Sequence, residues 1–117
     1  MFKFRGQHFI FDVYVDNKDI LYFNHKILEQ IKIQLEKWHT TIIDSCNYIF
    51  DTGGYSLNIL ISESHFSIHT YPEKKALFVD FFTCTSYEIK VEEVEQFIKE
   101  LFKAKEIKTY YLRRGNE

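Results

Sequence analysis

Apolar and polar residues alternate along GQHFIFDVYV, and the apolar positions carry aromatic and β-branched side chains, which predicts a first strand over residues 7–15. The period then changes. Ile27, Leu28, Ile31, Leu35 and Trp38 recur at three- and four-residue spacing behind Asn24, a good capping residue, so an amphipathic helix with one apolar stripe follows. TTIIDSCNYIF returns to strand-like composition, and Gly53-Gly54 marks a turn before YSLNILIS. HFSIHTY and, beyond Pro72, ALFVDFFTC read as further strands, the second apolar at successive positions as a central strand covered on both faces would be. Val91, Val94, Phe97, Ile98 and Leu101 define a second amphipathic helix, with Glu95 and Lys99 one turn apart, and IKTYYLRR is an edge strand.

The order strand, helix, four strands, helix, strand joins most neighbours by short connections. The expected fold is therefore α+β, with a largely antiparallel sheet and both helices on one sheet face. That leaves the other face of ALFVDFFTC without a cover. A homodimer packed sheet to sheet, an αββα sandwich, would supply one.

At 117 residues the chain is expected to form one domain, 1–117, burying roughly two-thirds of the surface its unfolded form exposes. Its 12 Phe and 8 Tyr against 4 Gly and 1 Pro argue against disorder. A formal net charge of -2, with both signs interspersed, argues against a nucleic-acid partner, and LRRGN is too small a basic patch to change that. No apolar run approaches the roughly 20 residues of a membrane span, and the start shows no secretory pattern, so a cytoplasmic chain without a membrane partner is expected. Cys46 and Cys84 then read as free thiols.

Reactive side chains concentrate in ISESHFSIHTYPE, residues 61–73. Ser64 next to His65 suggests a hydrolase pair, but no G-x-S-x-G turn is present to hold the serine. His65 and His69 on a strand stand about 13 Å apart, too far to share an ion, so no metal is expected. A serine or histidine in a half-buried strand is most often simply a hydrogen-bonded structural group, and Cys84 a small core residue. Asp80 is different: it interrupts ALFVDFF, needs polar partners there, and by alternation shares a face with Phe82 and Cys84.

SESHFSIHTYPE followed by VDFFTC resembles the signature of the short prokaryotic S-adenosylmethionine decarboxylase proenzymes, a pyruvoyl-dependent family, and FDTGGYSLN resembles that family's Phe-x-Pro-x-Gly-x-Ser segment. The likeness covers essentially the whole chain. It implies cleavage of the Glu63–Ser64 bond, giving pieces 1–63 and 64–117, with Ser64 becoming a pyruvoyl group at the start of the second. The resemblance further implies that Ser56 steadies the tetrahedral intermediate of processing and His69 transfers a proton. The cofactor is then the Ser64-derived pyruvoyl, with neither pyridoxal phosphate nor metal. It forms a Schiff base with the substrate amine and accepts the electron pair left as CO2 departs, and Cys84 returns the proton.

For the substrate, the resemblance points to Phe50 stacking on the adenine and sulfonium and to Glu73 binding the ribose hydroxyls, with His65 shaping the pocket or making a structural hydrogen bond. The product would serve spermidine synthesis, and two protomers would pair with their sites near the interface. Alternation puts Ser64 and His69 on opposite faces, so their cooperation needs a bulge or an approach from another strand. Asp51 and Thr52 stand where the family has other residues, including its proline, and Leu57 and Thr85 stand where Gly is frequent. Asp51 offers a carboxylate to a cationic amino acid, which keeps L-ornithine or L-arginine open as substrates. A loop Asp beside Gly53-Gly54 is more often just a turn former, and with Phe50 and Glu73 present S-adenosylmethionine stays first. A third reading, from another class, is an uncleaved binding or regulatory subunit.

Overall fold

Alternation carries β1 (Phe4–Val15), and Asn24 caps α1 (His25–Lys37) by accepting the Lys26 backbone N–H at 2.7 Å. Then come β2 (Ile42–Ile49), β3 (Tyr55–Ile61), β4 (Ser64–Tyr71), β5 (Ala76–Thr83), α2 (Val91–Phe102) and β6 (Ala104–Asn116). This computed structural model describes residues 4–84 and 86–116. The six strands form one sheet in the order β2-β3-β4-β5-β1-β6, every pair antiparallel.

The two periods meet on one side of the sheet. Ile27, Ile31 and Leu35 of α1 and Val94, Ile98 and Phe102 of α2 join Phe9, Phe11, Ile59, Phe66, Val79 and Phe81 in a single core. Trp38 stacks on Phe81 at 5.7 Å between ring centroids and meets Phe97 edge-on at 5.6 Å, locking both helices over β5. Phe81, fully buried, also touches Phe9 and Phe66. Phe81→Ala should therefore cost about 3–5 kcal/mol of unfolding free energy, read from a lowered urea midpoint.

Some boundaries differ from expectation. Trp38 lies just past the end of α1 as its C-cap, still buried, because its ring rather than its backbone completes the stripe. β6 runs for 13 residues, beyond the 107–114 of the sequence pattern, because β1 pairs with it along almost its whole length. Ser62, expected inside the third strand, instead shares a two-residue hairpin turn with Glu63, so that Ile61 pairs with Ser64. Short 3-10 turns at Lys18–Leu21 and Pro72–Lys74 had no sequence signal beyond the proline.

Among the described residues no helix covers the second sheet face. It carries Phe78, Asp80 and Phe82 of β5 beside His65, Ser67 and His69 of β4, with Leu60, Tyr110 and Leu112 exposed around them. Among the described residues no helix is long and apolar enough to cross a membrane.

Candidate active site

The turn between β3 and β4 carries the bond that the sequence marks. Glu63 has φ +64°, a left-handed conformation that costs a non-glycine residue roughly 1–2 kcal/mol, and the next peptide is Glu63–Ser64. Ser64 is buried, and its Oγ accepts the Cys84 backbone N–H at 3.1 Å. The ends of β4 and β5 thus bring Glu63, Ser64 and Cys84 together. Burial pushes the Cys84 thiol above its ordinary pKa, the Glu63 charge adds to this, and Arg114 opposes it, so the thiol is held in its protonated form. The Arg114 guanidinium lies 4.8 Å over the Phe82 ring. Thr83, beside Cys84 and facing the core, has a buried hydroxyl without a hydrogen-bond partner. Thr85, one of the departures noted in the sequence, lies outside the described residues.

A second group forms at the other end of the β3–β4 hairpin. Ser56 pairs with His69 across the strands, and Ser56 Oγ and His69 Nδ1 are 2.8 Å apart. They open onto a cavity of about 250 Å³ that Phe50, Thr52, Tyr71 and Glu73 also line. The Phe50 ring is half exposed and packs edge-on against Tyr48 at 5.0 Å. Glu73 arrives there because Pro72 starts the 3-10 turn after β4. Asp51 does not line this cavity. It sits in the turn closed by Phe50 N–H to Gly54 O at 2.7 Å and Gly53 N–H to Phe50 O at 2.9 Å. That turn needs its glycines, since Gly53 has φ +92° and a Cβ on Gly54 would meet Thr70 O at 2.7 Å. Asp51 is thus part of the turn that presents Phe50 to the cavity.

The two groups do not meet within one chain. β4 pairs in unbroken register from Ser64 to Tyr71, with no bulge, so Ser64 faces the core and His69 the open face. Five strand residues separate them by roughly 16 Å. The bulge that would have let them cooperate is absent.

Between the two groups, on the open face, sequence reasoning missed a residue. Asp80 was expected to need partners, and it has two: its Oδ1 lies 2.7 Å from His8 Nε2 and 3.0 Å from His65 Nε2. His8 stands on β1, and only the β1–β5 register, pairing Ile10 with Asp80, brings it there. His65 is thus held by Asp80, away from the cavity of Phe50 and Glu73. His8, His65 and Asp80 place their ligand atoms within 4.8 Å of one another, a grouping that the sequence spacing of His65 and His69 did not suggest.

Comparison with known proteins gives a consistent picture. The profile of the S-adenosylmethionine decarboxylase family matches residues 7–115. An S-adenosylmethionine decarboxylase proenzyme of Clostridium botulinum is 35% identical over 108 residues, 91% of this chain and 92% of that one. One from Archaeoglobus fulgidus is 31% identical over 94% of this chain and 97% of its own. A crystal structure of the adenosylmethionine decarboxylase from Aquifex aeolicus superposes with a TM-score of 0.83 at 28% identity, covering 99% of this chain and 95% of that one.

Proposed function

The chain belongs to the S-adenosylmethionine decarboxylase family, and from that premise we propose that it is a proenzyme that cuts itself at Glu63–Ser64 and then decarboxylates S-adenosylmethionine. The observation that carries this reading is the hairpin turn, where a left-handed Glu63 precedes a serine whose Oγ is fixed by the Cys84 N–H. In processing, Ser64 Oγ attacks the Glu63 carbonyl carbon, the peptide C–N bond breaks, and an ester and a free amine result. Loss of the Ser64 Cα proton then breaks the Cβ–Oγ bond, leaving Glu63 as a carboxylate. Hydrolysis of the residue left behind releases ammonia and gives the pyruvoyl ketone. The strained turn raises the starting state, and the fixed Oγ shortens the approach.

The pyruvoyl ketone supplies an electrophile for the substrate amine and a sink for the electrons left by CO2. The chain's own residues do the rest. Cys84, held protonated beside Ser64, donates the proton that replaces the carboxyl group. Phe50 offers a ring face to adenine and sulfonium, and Glu73 offers oxygens to the ribose hydroxyls. The product feeds an aminopropyl transfer of the kind that makes spermidine.

The distance between Ser64 and His69 makes the site incomplete in one chain, and the open sheet face, with exposed Leu60, Phe78, Tyr110 and Leu112, is where a second copy fits. In such a pair the Ser56–His69 dyad and the Phe50–Glu73 cavity of one protomer serve the Ser64–Cys84 end of its partner. Co-expressing Ser64→Ala and His69→Ala chains tests this. Each variant alone should lose at least about 90% of processing or turnover, and the mixture should regain a substantial part, because mixed pairs hold one intact site. A mixture no better than its components would place the dyad's action within a single chain.

Radiolabelled CO2 release decides the substrate. S-adenosylmethionine should be turned over, with ornithine and arginine at least about a hundredfold poorer, since Asp51 lies outside the cavity. Preference for either amino acid would overturn the assignment. The uncleaved-subunit reading gains nothing from the relatives named above, both of which are described as proenzymes.

A further inference from the structure

His8, His65 and Asp80 take no part in the chemistry above, yet they form a three-residue polar cluster on the open face. Both imidazoles direct Nε2 at the same oxygen, Asp80 Oδ1, at 2.7 and 3.0 Å. The rings stand edge to face at 6.3 Å, and Phe82 packs against both, at 5.6 Å from His8 and 6.0 Å from His65. Partial burial works against ionisation of Asp80, but the hydrogen bonds from the two histidines and their charge outweigh it and hold the carboxyl below its usual range. Each Nε2 therefore donates to a carboxylate, the stronger kind of hydrogen bond.

Where these residues lie relative to the scissile bond gives the cluster a role. His8 belongs to residues 1–63, whereas His65 and Asp80 belong to 64–117. His65 directly follows Ser64, so its backbone nitrogen closes the amide whose carbonyl adjoins the pyruvoyl ketone. Before cleavage the Ser62–Glu63 turn holds the start of β4. After cleavage that covalent hold is gone, and a strand end without it frays.

We propose that the His8–Asp80–His65 cluster is a positioning clasp, which pins the first peptide of the new chain end to β5 and ties it across the cut to β1 of the other piece. The clasp rests on the pyruvoyl reading, and it acts on orientation, not on the reacting atoms. Its loss should therefore lower kcat more than it raises KM.

The test uses the full chain and three variants, His65→Ala, His65→Gln and Asp80→Asn, each read by denaturing mass, steady-state kinetics and backbone hydrogen exchange. His65→Ala should still cleave, lose about 10- to 100-fold in kcat with KM within about threefold, and exchange faster over residues 65–67. His65→Gln, which returns an N–H donor near the Nε2 position, should recover most of kcat. Cleaved His65→Ala with wild-type kcat and protection overturns the clasp. If His65→Ala fails to fold, Asp80→Asn decides, since it keeps the shape and one acceptor while losing the charge: unchanged kcat overturns the proposal and a fall of about tenfold supports it. Two imidazoles and a carboxylate also suit a divalent cation. Activity lost on treatment of the wild type with EDTA and restored by zinc would overturn the clasp in favour of a metal site. A wild-type chain that never cleaves defeats the pyruvoyl reading and the clasp together, whereas a cleaved wild type beside an unaffected His65→Ala defeats the clasp alone.

Discussion

Ser64→Ala is expected to remain a single chain of 117 residues under denaturing conditions and to release no CO2 above background. The change removes the attacking oxygen, and with it the ester and the Cβ–Oγ bond whose elimination leads to the ketone, so no slower route to the same product remains. It does not unfold the protein. Ser64 Oγ accepts one backbone hydrogen bond, from Cys84, and losing such a bond costs about 1–3 kcal/mol against a typical stability of about 5–15 kcal/mol. Circular dichroism should match the parent chain. Cleavage of Ser64→Ala at the same bond would show that another group carries out the cut.

Cys84→Ala separates processing from turnover. The chain should still cleave, because Cys84 touches Ser64 through its backbone N–H, which alanine retains. Turnover should fall by about 10²- to 10⁴-fold in kcat, the usual worth of a positioned acid, with KM changed little. The pH profile supplies the sign. Burial and the Glu63 charge raise the thiol pKa, so a proton donor of this kind stays competent as pH rises and fails only above that raised value. Arg114 pulls the other way. Arg114→Gln should therefore move the alkaline limb of kcat to higher pH, and a shift to lower pH would contradict Cys84 as the acid.

Much of this was legible in the chain because it is local. Strand and helix periods located the six strands and both helices, since the inward positions of those elements, such as Phe9, Phe11 and Val13 or Val94, Ile98 and Phe102, follow a spacing of 2 or 3.6 residues, whereas the core residues Leu21 and Ile89 lie outside them. Phe50, Ser56, His69 and Glu73 share a cavity because two hairpin strands and the turns that end them lie close in sequence. Other features were hidden by their nature. The Ser62–Glu63 turn has neither Gly nor Pro, and a glutamate with φ +64° is a conformation its residue type conceals. The sequence showed that Asp80 needed partners but not that His8 would be one, because 72 residues separate them and only the β1–β5 register joins them. Asp51 was open to two readings by chemistry alone, and the structure adds that it lies in the turn closed between Phe50 and Gly54.

The most direct test is the intact mass of the purified wild-type chain under denaturing conditions, with and without phenylhydrazine, which derivatises a ketone. Two pieces divided at Glu63–Ser64 are expected, summing to the uncut chain plus water minus ammonia, with the hydrazine adduct on the piece that begins at residue 64. A single uncut chain after long incubation, or two pieces neither of which takes the reagent, would contradict a pyruvoyl enzyme.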